Sequence, residues 1–185
     1  MTSDEAVGRS IDALSAAGLE YVLVGSFASN FWGAPRATQD VDLVVDFAGT
    51  SMRDLLAWLG PGFRLEPQQT FETVTGKRRH IVYVGDGAFT IEVFPVSEDA
   101  HDRERFHRRA SVALLGRTTF VLSPEDVIVT KLRWAAALNR DKDLADVAGV
   151  VAVRRDTIDW PYVRRWCGEH GTRHLLDEIL ADLGD

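Results

Sequence analysis

Two aspartates separated by one residue are the first feature of this chain that suggests chemistry. Asp40 and Asp42 lie in the apolar run 38–46, whose pattern predicts a β-strand with Val41 on its apolar side. Side chains of a strand alternate between its faces, so both carboxylates are expected on the same face. Two adjacent negative charges beside an apolar sheet are unfavourable without a cation between them. A divalent metal ion is the natural partner for such a pair.

A third carboxylate interrupts a later apolar run. Residues 69–96 have the pattern of a β-meander, and the turn at Asp86-Gly87 is a strong hairpin signal. In the last predicted strand, Glu92 lies between apolar neighbours and shares a face with Thr90 and Phe94. Glu92 is therefore a further candidate metal ligand, and an acid facing water at a sheet edge is the alternative.

Helices and strands must position these acids. Apolar periodicity predicts a helix over 4–17, with Ser3 or Asp4 as its N-cap. The other predicted elements are a strand at 21–24, helices at about 27–32 and 50–59, a strand at 118–122, and helices at 123–138, 142–152, 159–168 and 172–183. These elements predict an α/β (α+β) fold with a small mixed sheet flanked by helices. The expected domains are a core at 1–122 and a C-terminal helical region at 123–185 packed on it.

Composition limits the possible classes of protein. The chain has 185 residues, 45% of them apolar and 26% charged, which fits one folded domain. Its net charge of -7 argues against a surface that binds nucleic acid throughout, and suits a small anionic substrate carried with a metal ion. The single cysteine, Cys167, cannot form an internal disulfide, which fits a reducing cytoplasm. Neither a membrane span nor a signal peptide is expected.

Together these residues resemble a known superfamily. Gly25-Ser26 between a strand and a helix, the Asp40-Val41-Asp42 pair and the downstream Glu92 resemble the signature of the DNA polymerase β-like nucleotidyltransferases. The stretch 35–43 is similar to the branch that contains AbiEii-type toxins and small bacterial nucleotidyltransferases. Members of that branch also carry a lysine-bearing helix and a later basic-Asp-x-x-Asp stretch, which Lys131 and residues 142–146 match. The resemblance covers about residues 20–150.

The resemblance implies a magnesium-dependent reaction, with manganese as an alternative ion. The three carboxylates would hold one or two ions, and a nucleoside monophosphate would pass from an NTP to a hydroxyl acceptor with release of pyrophosphate. Gly25 would let the backbone approach the triphosphate, and Ser26 would add a hydroxyl donor at the helix N-terminus. Arg36 and Lys131 would neutralise phosphate charge.

Several alternatives stay open at the level of sequence. The acceptor implied by the resemblance is RNA such as a tRNA 3′ end, a protein or a small molecule, and a toxin would have a cognate antitoxin. Because Glu92 replaces the more common Asp, a non-catalytic binding module is the main competitor, and a metal-dependent phosphohydrolase is a third reading. The basic runs 77–80 and 103–109 are interpreted as solvated surface rather than RNA contacts. Asp143 and Asp146 are expected to brace Arg140 or Lys131 by ion pairing.

Overall fold

The chain forms two compact units. The structure, a computed structural model, describes residues 1–68, 70–71, 76 and 78–184. The first unit, here called the sheet unit, contains residues 1–24 and 38–121, and the second, the helical unit, contains 25–37 and 122–185. The division into domains at residue 122 stays a prediction. In the structure, residues 25–37 belong to the same compact unit as the C-terminal helices.

The sheet unit is built on a mixed sheet. The described residues form eight strands: β1 Glu20–Val24, β2 Asp40–Asp46, β3 Phe63–Leu65, β4 Thr70–Phe71, β5 Arg78–Val84, β6 Phe89–Pro95, β7 Ala110–Leu114 and β8 Arg117–Val121. Their order is β3-β5-β6-β2-β1-β8-β7, and β4 pairs with β5. The β2–β6 and β1–β8 pairs are parallel, and the remaining pairs are antiparallel. The predicted mixed α+β fold is confirmed. Residues 72–75, part of the first predicted meander strand, lie outside the described residues.

Helices occur in both units. In the described part of the chain they are α1 Ser3–Ala16, α2 Gly25–Trp32, α3 Met52–Leu59, α4 Ala100–His107, α5 Pro124–Leu138, α6 Asp141–Arg154, α7 Trp160–Glu169 and α8 Arg173–Asp182. A 3-10 turn covers Arg155–Thr157. The sheet unit contains α1, α3 and α4. Among the described residues, no helix has the length and apolar character needed to cross a membrane.

Local sequence explains where two of these helices begin. Ser123 caps α5, with Pro124 in the first turn, and its Oγ accepts a hydrogen bond from the Asp126 N–H at 3.2 Å, as predicted. For α1, the predicted cap at Ser3 or Asp4 is wrong. Thr2 is the N-cap, because it accepts from the Glu5 N–H at 3.1 Å while the Glu5 carboxylate accepts from the Thr2 N–H at 2.7 Å. This reciprocal pair is a capping box, which requires a glutamate three residues after the cap.

The packing of β2 decides which way the aspartates project. Val41, Leu43 and Val45 are at most 1% exposed and lie in the core of the sheet unit. Strand alternation then places Asp40 and Asp42 on the opposite face, where both are half-buried. Burial of the apolar face of β2 thus places its acidic face at the surface of the sheet.

Candidate functional site

The three predicted carboxylates meet on one face of the sheet. Asp42 and Glu92 are direct register partners on the parallel strands β2 and β6, and Asp40 is partnered by Thr90. Side chains of register partners project from the same side of a sheet, on strands about 4.8 Å apart. The sheet unit therefore has an acidic face, formed by Asp40, Asp42 and Glu92.

Glu92 carries the clearest electrostatic perturbation on this face. Burial raises the pKa of its carboxyl group, the ion pair and hydrogen bond from Arg79 lower it, and the charge of Asp40 raises it again, so that the net direction is upward. The Glu92 side chain is only 18% exposed. Burial and the nearby charge of Asp40 therefore oppose ionisation of Glu92, and Arg79 favours it.

Two neighbouring side chains contact the acids. Arg79 Nη1 lies 2.9 Å from Glu92 Oε2, in an ion pair in which the arginine is 28% exposed. Thr38 Oγ1 donates a hydrogen bond to Asp40 Oδ1 at 2.5 Å. Both contacts satisfy carboxylate oxygens that a metal ion would otherwise use.

The acidic face fits a magnesium ion in its chemistry. Mg²⁺ prefers hard oxygen ligands and is commonly held by one or two carboxylates together with substrate phosphates. As the side chains stand, His, Cys, Asp and Glu of the described residues form no group of three or more arranged around a metal position. The residue types and the strand register suit the ion, while Arg79 and Thr38 occupy part of the ligand set.

The Gly25-Ser26 pair lies between a strand and a helix, as predicted, but α2 begins at Gly25 rather than at about residue 27. Gly25 has a φ of 59° and begins α2 immediately after β1. This left-handed conformation is readily available to glycine and costs other residues about 1 kcal/mol. Ser26 Oγ accepts a hydrogen bond from Arg36 Nη2 at 2.9 Å.

Arg36 belongs to a charged network inside the helical unit. Its Nε and Nη2 atoms lie 2.7 and 2.9 Å from the two carboxylate oxygens of Asp146, which is a bidentate pair. Lys131 Nζ lies 2.8 Å from both Asp143 and Asp146. Arg140 Nε is 3.1 Å from Asp143. The network confirms that Asp143 and Asp146 brace basic residues.

Burial makes this network strong. Lys131 is 7% exposed, and the side chain of Asp143 is fully buried. Burial raises the pKa of Asp146, but the hydrogen bonds and charges of Arg36 and Lys131 lower it by more. The net direction of the pKa shift is therefore downward. Asp146 therefore stays ionised in the folded chain. Phosphate binding by Arg36 and Lys131 remains a prediction. In the structure both side chains pair with carboxylates.

Sequence reasoning missed Arg79 as part of the site. It lies in the basic run 77–80, which the sequence favours as solvated surface, and the neighbouring Arg78 is indeed exposed. Strand alternation is the signal that separates the two, because Arg79 shares a face with Ile81, the register partner of Glu92.

Comparisons with known proteins agree on the fold. No protein-family model and no curated protein sequence matches this chain. Among solved structures, ANT(2")-Ia in complex with adenylyl-2"-tobramycin is similar with a TM-score of 0.66 at 15% identity, covering 94% of this chain and 99% of that one. A nucleotidyltransferase-like protein from Paracoccidioides brasiliensis has a TM-score of 0.56 at 18% identity, over 98% and 94% of the two chains. The lincosamide antibiotic adenylyltransferase LnuA has a TM-score of 0.52 at 11% identity, over 83% and 98%.

These likenesses define the class of fold. The chain has the fold of the nucleotidyltransferases, in agreement with the superfamily that its motifs resemble. At identities of 11–18% they establish the fold alone. Membership of the AbiEii-type branch stays a prediction.

Proposed function

We propose that the protein is a magnesium-dependent nucleotidyltransferase that moves a nucleoside monophosphate from an NTP to a hydroxyl acceptor. The acceptor oxygen forms a bond to the α-phosphorus, the bond from that phosphorus to the bridging oxygen breaks, and pyrophosphate leaves. The acceptor's proton is released to water. The single observation that carries the proposal is the register of Asp42 with Glu92, with Asp40 on the same face.

Each group of residues has a proposed part. Asp40, Asp42 and Glu92 would hold Mg²⁺ or Mn²⁺, which when bound activates the acceptor hydroxyl and stabilises the charge of the leaving pyrophosphate. Gly25 and Ser26 would bind phosphate oxygens through the backbone and the Ser26 hydroxyl, with α2 contributing its N-terminal N–H groups.

A small molecule is our favoured acceptor. One solved structure with this fold holds adenylyl-2"-tobramycin, another is named a lincosamide antibiotic adenylyltransferase, and the likeness covers 99% and 98% of those chains. RNA and protein acceptors, and the role of a toxin with a cognate antitoxin, are the competing proposals. An acceptor hydroxyl on a small molecule leads us to expect activity without any macromolecular partner.

A labelling assay tests the reaction. Purified protein is incubated with Mg²⁺, each α-³²P-labelled NTP in turn, and a panel of hydroxylated antibiotics, bulk tRNA or cell lysate. We expect a labelled small molecule and release of pyrophosphate. Replacing Asp42 by Asn should lower the rate by at least about 1000-fold, the scale of loss expected when transition-state charge stabilisation is removed.

Asp46→Asn is the matched control. Asp46 lies at the exposed end of the same strand and on the same alternation as Asp42, and its carboxylate accepts from the Ala48 N–H. Its removal should leave the rate within about twofold, since an exposed surface change rarely matters. Full labelling by the Asp42 variant would contradict the site. Metal-dependent NTP binding without turnover would instead support a binding module, and release of free phosphate or NMP would support a hydrolase.

A further inference from the structure

Arg79 faces the acidic face from the neighbouring strand. Its register places it two residues before Ile81, which pairs with Glu92, so the guanidinium reaches diagonally along one face of the β5–β6 pair. The Nη1 atom contacts Glu92 Oε2 at 2.9 Å. The proposed reaction assigns no role to Arg79.

The contact offsets the cost of placing the Glu92 carboxylate on the acidic face. Glu92 is largely buried, and it lies beside Asp40 and Asp42 on the same face. A carboxylate in that position is unfavourable without a positive partner. Arg79 is the positive partner that the structure supplies for Glu92.

Arg79 is also held in place from its other side. Thr70 on β4 donates its hydroxyl to the Arg79 carbonyl oxygen at 3.1 Å, and the Arg79 Nε lies 3.4 Å from the Thr70 Oγ1. A side chain fixed in this way has less conformational entropy to lose when it pairs with Glu92. The ion pair is therefore built into the sheet unit.

We propose that Arg79 is a built-in counter-ion that competes with the divalent metal for Glu92. This inference rests on the proposed metal site and names a device that regulates it. Arg79 Nη1 contacts Glu92 Oε2, so an ion that takes this oxygen competes with the guanidinium and loosens the Arg79–Glu92 pair. The consequence is a metal affinity lower than the three carboxylates alone would give.

Direct measurement of metal binding tests the proposal. Mn²⁺ is titrated into the wild-type protein without NTP, and the free ion is followed by electron paramagnetic resonance. Arg79→Gln should bind Mn²⁺ about fivefold more tightly, which is the scale of a partly exposed ion pair that no longer has to be displaced. Arg79→Lys, which keeps the charge but loses the planar fork, should fall between wild type and Arg79→Gln.

Two matched variants separate competition from general charge. Arg78→Gln removes the same charge from the next residue, which is exposed and projects from the opposite face, and should change the affinity by less than about twofold. Glu92→Gln should weaken Mn²⁺ binding, and adding Arg79→Gln to it should then have little effect. Thermal melts of each variant verify that the sheet unit is folded.

The outcomes distinguish this inference from the proposed function. Unchanged or weaker Mn²⁺ binding in Arg79→Gln, with normal binding in wild type, overturns the competition alone. An equal gain in Arg78→Gln also overturns it, because the effect would then be one of net charge. Failure of the wild-type protein to bind Mn²⁺ with or without NTP overturns the metal site and the inference together.

Discussion

Asp146 is the residue on which the charged network of the helical unit depends. It pairs with the fork of Arg36 and with Lys131, and its side chain is 4% exposed. Replacing it by Asn removes the carboxylate that pairs with the guanidinium of Arg36 and leaves Lys131 with Asp143 as its acidic partner. Removing one partner of a fully buried pair costs about 3–5 kcal/mol, and because Arg36 is about one-third exposed we expect about 2 kcal/mol of lost unfolding free energy.

Chemical denaturation at about pH 7 measures this loss. Asp177→Asn is the control, since Asp177 forms an exposed pair with Arg173 one helical turn away and should cost less than about 0.5 kcal/mol. Equal losses in the two variants would contradict a special role for Asp146. Nucleotide affinity, measured on the same samples, reports whether the released Arg36 and Ser26 also bind phosphate less well.

The stability contributed by Asp146 should depend on pH in a definite direction. The hydrogen bonds from Arg36 and Lys131 outweigh burial, so the pKa of this carboxyl in the folded chain lies below its ordinary value of 3.8. The stabilisation is complete well above pH 3.8 and is lost as the pH falls through the folded pKa. The difference in unfolding free energy between wild type and Asp146→Asn should therefore be constant at neutral pH and shrink in acid. A difference that grows in acid would contradict it.

Single residues of the site differ in how far the sequence could predict them. The period of two on a strand was enough to place Asp40 and Asp42 on one face, because alternation is local. The apolar neighbours of Glu92 are enough to predict it as a candidate metal ligand. They do not predict which residue of another strand lies beside it. The pairing of Arg79 with Glu92 depends on the β5–β6 register, a non-local property that turn geometry and packing decide.

At the scale of elements, the residue that follows α2 packs closely against the backbone of α6. A Cβ atom added to Gly33 would lie 2.7 Å from the Val150 backbone nitrogen and 2.8 Å from the Gly149 carbonyl carbon. Backbone atoms cannot move aside as a flexible side chain can, so the two segments have to separate. Gly33→Ala should lower the unfolding free energy by about 2 kcal/mol, the usual cost of overpacking.

Gly168→Ala is the matched control for this prediction. Gly168 lies in α7, and a Cβ atom there would meet no atom within 4 Å. Alanine is the better helix former by up to about 1 kcal/mol, so this variant should be neutral or slightly more stable. Urea denaturation of both variants decides the point. Equal stability of the two variants would show that the Gly33 contact is not required.

Elements with strong end signals were predicted, and those without them were missed. Ser123-Pro124 fixed the start of α5 because a capping hydroxyl and a proline have well-defined positions in a first turn. The strand β7 is missed because it is short and contains a single β-branched residue, Val112. The turn that joins β7 to β8 has positive φ at both Leu115 and Gly116. Leucine is uncommon at such a position, so the sequence does not indicate this turn.

At the scale of the whole molecule, fold and function are specified by different amounts of sequence. Structures with identities of 11–18% share this fold, because a fold needs apolar residues in the right pattern rather than particular side chains. The acceptor of the proposed reaction would be selected by a few side chains, which the apolar pattern does not constrain. The sequence therefore predicted the class of fold and the acidic face, and left the acceptor to experiment.

The single cysteine allows the stability of the native chain to be followed directly. Cys167 lies in α7 and is fully buried in the helical unit. Burial raises the pKa of its thiol, so little reactive thiolate forms at neutral pH even when the reagent is close. Reaction with a thiol reagent then requires an opening of the helical unit, and the rate of labelling reports how often that opening occurs.

We expect Cys167 in the native protein to react with a disulfide reagent at least about 1000-fold more slowly than in concentrated guanidinium chloride, because a domain of ordinary stability is open for less than about one part in a thousand. Absorbance of the released thiolate measures both rates at the same pH. Gly33→Ala should label faster than wild type in proportion to its lost stability, whereas Gly168→Ala should not. A native rate within about tenfold of the denatured rate would contradict the buried position of Cys167 and the compactness of the helical unit.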